Sequence, residues 1–284
     1  METITTDDQL NEAGFYWREI DGVRALICAR LEEDGFVNGF STRTGGVSEM
    51  PANALSLAGF NDDAAENILE NRRRFLKLFP GNWSLAGCWQ VHGADVRVVK
   101  TAEDAKPAEN QLGDTIYCDV IVSDVKGVLA GVKTADCVPI LLGDPVTHAF
   151  AAVHAGWRGT LAEAIVVAVE RLRSEYGVKP EDLRVAIGAS AGRCCYEVGS
   201  EVIDAFTNRF GSGANLFKTT RPGHAMIDLL KANRDQLESA GVLPERIHTA
   251  PICTMCRTDL FFSYRKEKNL HGKVGRLMAV VGRN

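Results

Sequence analysis

VLAGVKTADCVPILLGDPVTHAFAAVHAGWRGTLAEAIVVAVERLRSEYG, residues Val128–Gly177, contains three strand-like runs in succession before any helix begins. The runs are Val128–Lys133, Val138–Leu142 and Ala149–His154, each short and apolar. A helix is expected from Thr160, because Thr160 and Glu163 have capping-box spacing behind Gly156 and Gly159, and it should stop at Gly177. Outside this stretch, further strands are expected at Arg24–Arg30, Phe36–Thr42, Leu85–Val91, Val96–Lys100, Tyr117–Ser123, Leu183–Ile187, Phe261–Arg265 and Leu277–Val281. The other good helices fall near residues 64–79, 199–210 and 228–240, the last closing at Ala240-Gly241. Strands outnumber helices and do not alternate with them, so the expected class is α+β, with a mixed β-sheet core and helices packed outside, not a Rossmann-like or barrel fold.

No linker, low-complexity tract or internal repeat divides the 284 residues, which predicts one domain over 1–284 with residues 1–20 as a flexible N-terminus. The charged fraction of 24% and apolar fraction of 45% are those of a folded globular protein and give no sign of wholesale disorder. A formal net charge of −5 lacks the basic footprint of a nucleic-acid binder, and Arg72-Arg73-Arg74 reads as a solvated helix face. The start METITTDDQLNEAG is acidic and polar, unlike a secretory signal, and no apolar run reaches membrane-span length. A cytoplasmic location is therefore expected, where the eight cysteines would be reduced.

Three segments place a metal-type ligand at the end of a strand: Gln90-Val91-His92-Gly93, Ala135-Asp136-Cys137, and Val153-His154 running into Ala155-Gly156-Trp157-Arg158-Gly159. Two imidazoles and a thiolate suit zinc, and three protein ligands leave a fourth tetrahedral position open, as in a catalytic site. The ligands have no zinc-finger spacing, so spacing alone leaves open the alternative that each is merely packed.

Six ordered motifs resemble the laccase-domain family, also called YfiH-type or peptidoglycan editing factor. They are Phe40–Ser48 (FSTRTGGVS), Gln90–Gly93, Ala135–Pro139 (ADCVP), His154–Gly159 (HAGWRG), Tyr196–Gly199 (YEVG) and Phe261–Arg265 (FFSYR). The resemblance implies a single-domain fold grouped by structure with cysteine hydrolases, and one zinc held by His92, Cys137 and His154. It implies phosphorolysis of adenosine, inosine, guanosine and methylthioadenosine, together with adenosine deamination. A role as an editing hydrolase on nucleotide-linked muramoyl amino acids is also attached to the family. The expected partners are therefore small molecules, a purine nucleoside and phosphate, with no nucleic acid and no membrane, and the chain is expected to act as a monomer. Ser56-Leu57 and Gly188-Ala189 depart from the family's usual Asn-Leu and Gly-Pro.

The residues test the competing labels. A multicopper oxidase consumes about ten histidines, many in His-x-His pairs, whereas this chain has six histidines and no such pair. Copper is therefore expected only as an adventitious or alternative metal. For deamination, a zinc-activated water would displace ammonia at C6 of adenine, although the H-x-E…P-C-x-x-C pattern of the cytidine-deaminase type is absent. Catalytic candidates are Cys137, His154 and Asp136, the last as a proton carrier beside Cys137. A Cys137–His154 nucleophilic dyad is the alternative mechanism at the same place, and a non-catalytic metal or redox protein using Cys137 is the alternative class.

For phosphate, Arg158 at the start of the expected helix is the first candidate anion binder, with Arg43 and Arg265 beside it and Gln90 and Ser263 completing the substrate-binding set. Trp157 could stack on a purine or pack the strand-to-helix turn. Cys253 and Cys256 form a C-x-x-C with no second copy and read as core packing or a reduced dithiol, while the adjacent Cys194-Cys195 shows no metal pattern. His148, His224, His248 and His271 read as surface or turn histidines.

Overall fold

Along the central strands, residues of both parities are apolar, so both faces of those strands must be covered. In the computed structural model, which describes residues 6–49, 54–59, 62–106, 116–211 and 215–284, two mixed six-stranded sheets stack on each other to do this. The first runs β1 (Phe15–Ile20), β2 (Val23–Cys28), β3 (Val37–Ser41), β15 (Leu277–Gly282), β7 (Val128–Thr134) and β4 (Ser84–Ala86), antiparallel except for the β4–β7 pair. The second runs β14 (Ile247–Thr249), β10 (Arg184–Ile187), β8 (Val138–Gly143), β9 (Phe150–Ala155), β6 (Val120–Ser123) and β5 (Val96–Val99), with parallel pairs only at its two edges.

Alternation sorts the side chains into layers. Leu26, Phe40, Ala130, Val132 and Ala279 of the first sheet meet Ile121, Leu141, Phe150, Ala152 and Ala186 of the second in one core. The intervening residues Val120, Val122, Ile140, Leu142 and Val153 face a second core built with helices α5 (Ala164–Tyr176) and α7 (Leu229–Ser239). On the far side, Ala25, Ile27, Leu129 and Val280 pack against Phe75, Leu78 and Phe79 at the end of α3 (Ala65–Leu76). The chain is thus a single-domain α+β fold whose expected β core is two stacked sheets. A small antiparallel sheet of β11 (Glu197–Gly199), β13 (His224–Ile227) and β12 (Phe217–Arg221) adjoins α6 (Ser200–Phe210).

Several expectations change. The helix expected from Thr160 begins earlier, as α4 (Trp157–Leu161), and breaks before α5, with Glu163 in the left-handed region at φ 57°. The capping box is absent because Thr160 is buried: its hydroxyl accepts from Asn233 at 3.0 Å and its carbonyl from Gln236 at 2.8 Å. Gly177, at φ 70°, does close α5. Phe261–Arg265 is not a strand, since the Ser263 hydroxyl accepts from the Lys266 N–H and starts helix α8 (Tyr264–His271). In Leu85–Val91 only the first residues join β4, with Trp89 in an isolated bridge to Tyr117. Residues 1–5 of the expected flexible N-terminus lie outside the described residues, and from Asp7 onward the chain forms α1 (Asp7–Glu12) and β1. Arg73 and Arg74 do pair with Glu70 on an outer helix face, but Arg72 is buried and donates to the Ala58 carbonyl.

Candidate metal centre and active-site cleft

Strand register gathers the site at one end of the second sheet. Val120 of β6 pairs with Val153 of β9, and Pro139 of β8 pairs with His154, so Asp119 and Cys137 reach the sheet end where β9 finishes. β5 runs parallel to β6, which brings the loop before it, with His92, to the same end. His154 shares the parity of Phe150 and Ala152 and so projects between the sheets, where it is 3% exposed. The donor atoms of His92, Cys137 and His154 lie within 4.8 Å of one another, and the two imidazoles meet edge to face at 4.9 Å.

Asp119, which the sequence reading passed over, organises this set. Its carboxylate accepts from the backbone N–H groups of Val91, His92 and Gly93 at 3.1, 3.0 and 2.7 Å, and contacts His154 Nδ1 at 2.7 Å. The three N–H bonds hold His92 in the left-handed region at φ 63°, a conformation that costs a non-glycine residue about 1 kcal/mol. The contact at Nδ1 leaves His154 Nε2 for a metal, the usual arrangement behind a ligating histidine. Gly156 lets β8 and β9 close in, since a Cβ there would stand 2.9 Å from Cys137 Sγ and 3.1 Å from the His92 ring.

The charges are coupled. Desolvation would raise the Cys137 thiol, but the neighbouring imidazoles of His154 and His92 outweigh it and bring the thiol down to about 6. Desolvation would lower His154, but the Cys137 charge and the Asp119 contact raise it to about 9. Burial pushes Asp119 up, and His154 with the N–H groups of Gly93 and Val91 bring it below its ordinary value. A thiolate beside a charged imidazole is a ready nucleophile, and a thiolate is also what a cation would bind. A soft or borderline divalent ion fits these donors. A multicopper cluster does not, because among the described residues only these two histidines converge.

The three donors open into a cleft of about 570 Å³, in the range of small-molecule sites. Its walls pair cations with rings: Arg158 lies 4.0 Å from the Trp157 ring, Arg265 4.9 Å from Tyr196, Arg276 5.6 Å from Tyr264, and Lys133 5.9 Å from Trp89. Arg158 is well exposed, with Glu201 at 3.9 Å. Trp157 therefore packs on the core and carries Arg158 on one face.

The other expected residues divide. Gln90 lines the cleft and clasps the Lys133 backbone through both amide atoms, at 2.6 and 2.8 Å. Asp136 lines it too, at φ 88°, its carboxylate accepting from Thr254 Oγ1, Ser263 Oγ and the Arg265 N–H. Burial raises its pKa against those three bonds. Ser263 is buried behind Asp136, whereas Arg265 reaches the cleft and donates to the Glu197 carbonyl at 2.9 Å. Arg43 does not line the cleft: it is buried, paired with Glu267 at 2.9 Å, and donates to the Thr258 carbonyl at 2.6 Å. His148, His224, His248 and His271 stand apart from the donors. The cysteines read as unrelated, Cys194, Cys195, Cys253 and Cys256, come together in a second cluster.

Comparison with known proteins shows the family. The chain is 35% identical over 262 residues to the purine nucleoside phosphorylase YlmD of Geobacillus stearothermophilus, covering 91% of this chain and 94% of that one. It is 31% identical over 274 residues to human purine nucleoside phosphorylase LACC1, covering 90% of this chain and 59% of the human protein. The crystal structure of the Geobacillus YlmD superposes with a TM-score of 0.86 at 34% identity, and that of the Bacillus licheniformis hypothetical protein YfiH with 0.86 at 27%; each covers 95% of this chain and 99% of the other. The family profile described as multi-copper polyphenol oxidoreductase laccase matches residues 37–284, and with that match and the Geobacillus relative covered over 94% of its length the chain belongs to that laccase-domain family.

Proposed function

We propose that this chain is an enzyme that cleaves purine nucleosides with phosphate, using one zinc ion at His92, Cys137 and His154, and that the same site deaminates adenosine. The observation that carries the reading is the cleft itself: a His/Cys/His donor set at its floor and, around it, guanidinium groups set against aromatic rings. The names of the relatives support the phosphorylase part. A zinc ion held by His92, Cys137 and His154 would supply Lewis acidity at the floor of the cleft.

The chain's own residues do the rest. Arg158, with a long exposed side chain and a distant carboxylate partner, binds the phosphate, and Arg265 holds a second anionic position in the same cleft. Their charges orient a dianionic nucleophile and favour the charge that develops as the purine leaves. Trp89 and Tyr264 expose ring surface on which a purine can stack. Asp119 fixes the His154 ring and the His92 loop. Asp136, expected as a proton carrier, is held on three sides, which suits a positioning role for the turn that presents Cys137. Arg43 and Ser263 support the same turn and the head of α8 from behind.

The test is purified, metal-analysed protein given adenosine with and without phosphate. Phosphate-dependent release of adenine is expected, with inosine as the deamination product. Arg158→Ala should lose about ten- to a hundredfold of the phosphate-dependent rate, the worth of a charge-assisted contact of about 1.5–3 kcal/mol. Deamination, which uses no phosphate, should fall less. No purine release at any phosphate concentration would overturn the phosphorylase reading. Hydrolysis of a nucleotide-linked muramoyl amino acid in a parallel reaction would favour the cell-wall role instead.

A further inference from the structure

Away from the donors of the cleft, the turn before β11 presents Cys194 and Cys195, and the turn at 253–256 presents Cys253 and Cys256. All four sulfur atoms lie within 4.8 Å of one another, with Cys195 to Cys256 at 3.2 Å and Cys194 to Cys256 at 3.6 Å. In a tetrahedral zinc–tetrathiolate site, with Zn–S near 2.3 Å, sulfurs stand about 3.8 Å apart. A disulfide would hold two of them at about 2.05 Å. Both sulfur–sulfur separations lie nearer the tetrahedral value than the disulfide length.

The surroundings are built for sulfur. The Gly192 N–H donates to Cys253 Sγ at 3.2 Å, the kind of outer contact that supports a ligating thiolate. A Cβ at Gly192 would crowd Cys253 Sγ and Cys194 Sγ, each at 3.3 Å, so the turn packs directly on the cluster. The Cys195 and Tyr196 N–H groups both return to the Gly192 carbonyl at 3.0 Å, a tight turn that carries two adjacent thiols to the same cluster. Cys194 is exposed and gives an ion a way in, while the other three are partly covered.

We propose that Cys194, Cys195, Cys253 and Cys256 form a second metal site, a structural zinc held by four thiolates, which fastens together the two irregular segments that frame the cleft. Ser190 and Cys253 already form a bridge between these segments, with the Thr254 N–H donating to the Ser190 carbonyl at 3.0 Å. Thr254, between two of the ligands, donates to Asp136 at 2.7 Å, and the Ala191 N–H donates to the Asp136 carbonyl at 2.8 Å. Tyr196, directly after Cys195, lies under Arg265 in the cleft wall. An ion at the four sulfurs therefore sets the position of Asp136, Tyr196 and Arg265 without touching substrate.

The experiment uses the full chain carrying His92→Ala and Cys137→Ala, so that the first centre cannot contribute. After incubation with zinc under reducing conditions and desalting, it should retain one zinc per chain. X-ray absorption at the zinc edge should show four sulfur neighbours at about 2.3 Å. Adding Cys253→Ser and Cys256→Ser to that background should abolish retention. Absence of zinc in the two-site-residue variant overturns the proposal, and so does a first shell containing nitrogen or oxygen. A disulfide between any two of the four in that zinc-treated protein overturns it as well.

Discussion

Replacing Asp119 by Asn removes one charge and puts an amide NH2 where the N–H groups of Val91, His92 and Gly93 and the His154 ring converge. At least one of those contacts must then face donor to donor. Asp119→Asn is expected to weaken zinc binding by about 10–100-fold, the usual effect of losing an outer partner of a ligating histidine. Competition against a chelator of known affinity measures it, and an unchanged affinity would show that backbone packing alone holds the donors. His92, Cys137 and His154 were legible in the sequence because their types and motifs announce a metal. Asp119 was not, since a single aspartate before Val120-Ile121-Val122 has no spacing partner. The available signal was an acidic residue leading a run with both faces buried. The four-cysteine cluster was hidden for a related reason: only half of it has C-x-x-C spacing, and the other half is an adjacent pair brought in by the fold.

Helix ends show which local signals survive tertiary packing. Gly177 closes α5 at φ 70° with no atom within 4 Å of where a Cβ would stand, so its requirement is conformational and not steric. Gly177→Ala should therefore cost about 1 kcal/mol, a fall of ~3 °C in Tm, with zinc content unchanged. No loss of Tm would mean that the turn relaxes to another closure. The Thr160 signal at the other end failed because Asn233 and Gln236 of α7 compete for its hydroxyl and carbonyl. The sequence also carries a hairpin signal in Asp21-Gly22, which at φ 51° and 78° joins β1 to β2 where Ile20 pairs with Val23. Strands buried on both faces were easy to recognise as long apolar runs. The short alternating strands β11 and β13, the largely exposed β12 and the edge strand β1 were not, and Phe261-Phe262 imitated a strand because a helix cap followed it.

Across the whole molecule, the His92, Cys137 and His154 donor set joins loops and strand ends from sequence positions 92 to 154, and the four cysteines join positions 194 to 256. Ions that bind only the folded chain add RT ln(1 + [L]/Kd) to its stability, about 2.7 kcal/mol at a hundred times Kd. Thermal melting in graded free zinc should therefore show Tm rising with the ion and falling on chelation. The His92→Ala, Cys137→Ala variant should keep only the part owed to the four cysteines. A Tm indifferent to zinc in the wild-type chain would mean that neither set of donors binds it tightly.

β15, at Leu277–Gly282, lies between β3 and β7 in the middle of the first sheet, not at its edge. During synthesis the strands from residues 15–41 therefore emerge long before the partner that joins them to β7. Until then β3 and β7 each present an open edge, the kind of surface that invites pairing with another nascent chain. A ribosome halted before residue 277 would release a polypeptide with two half-sheets and no seam between them.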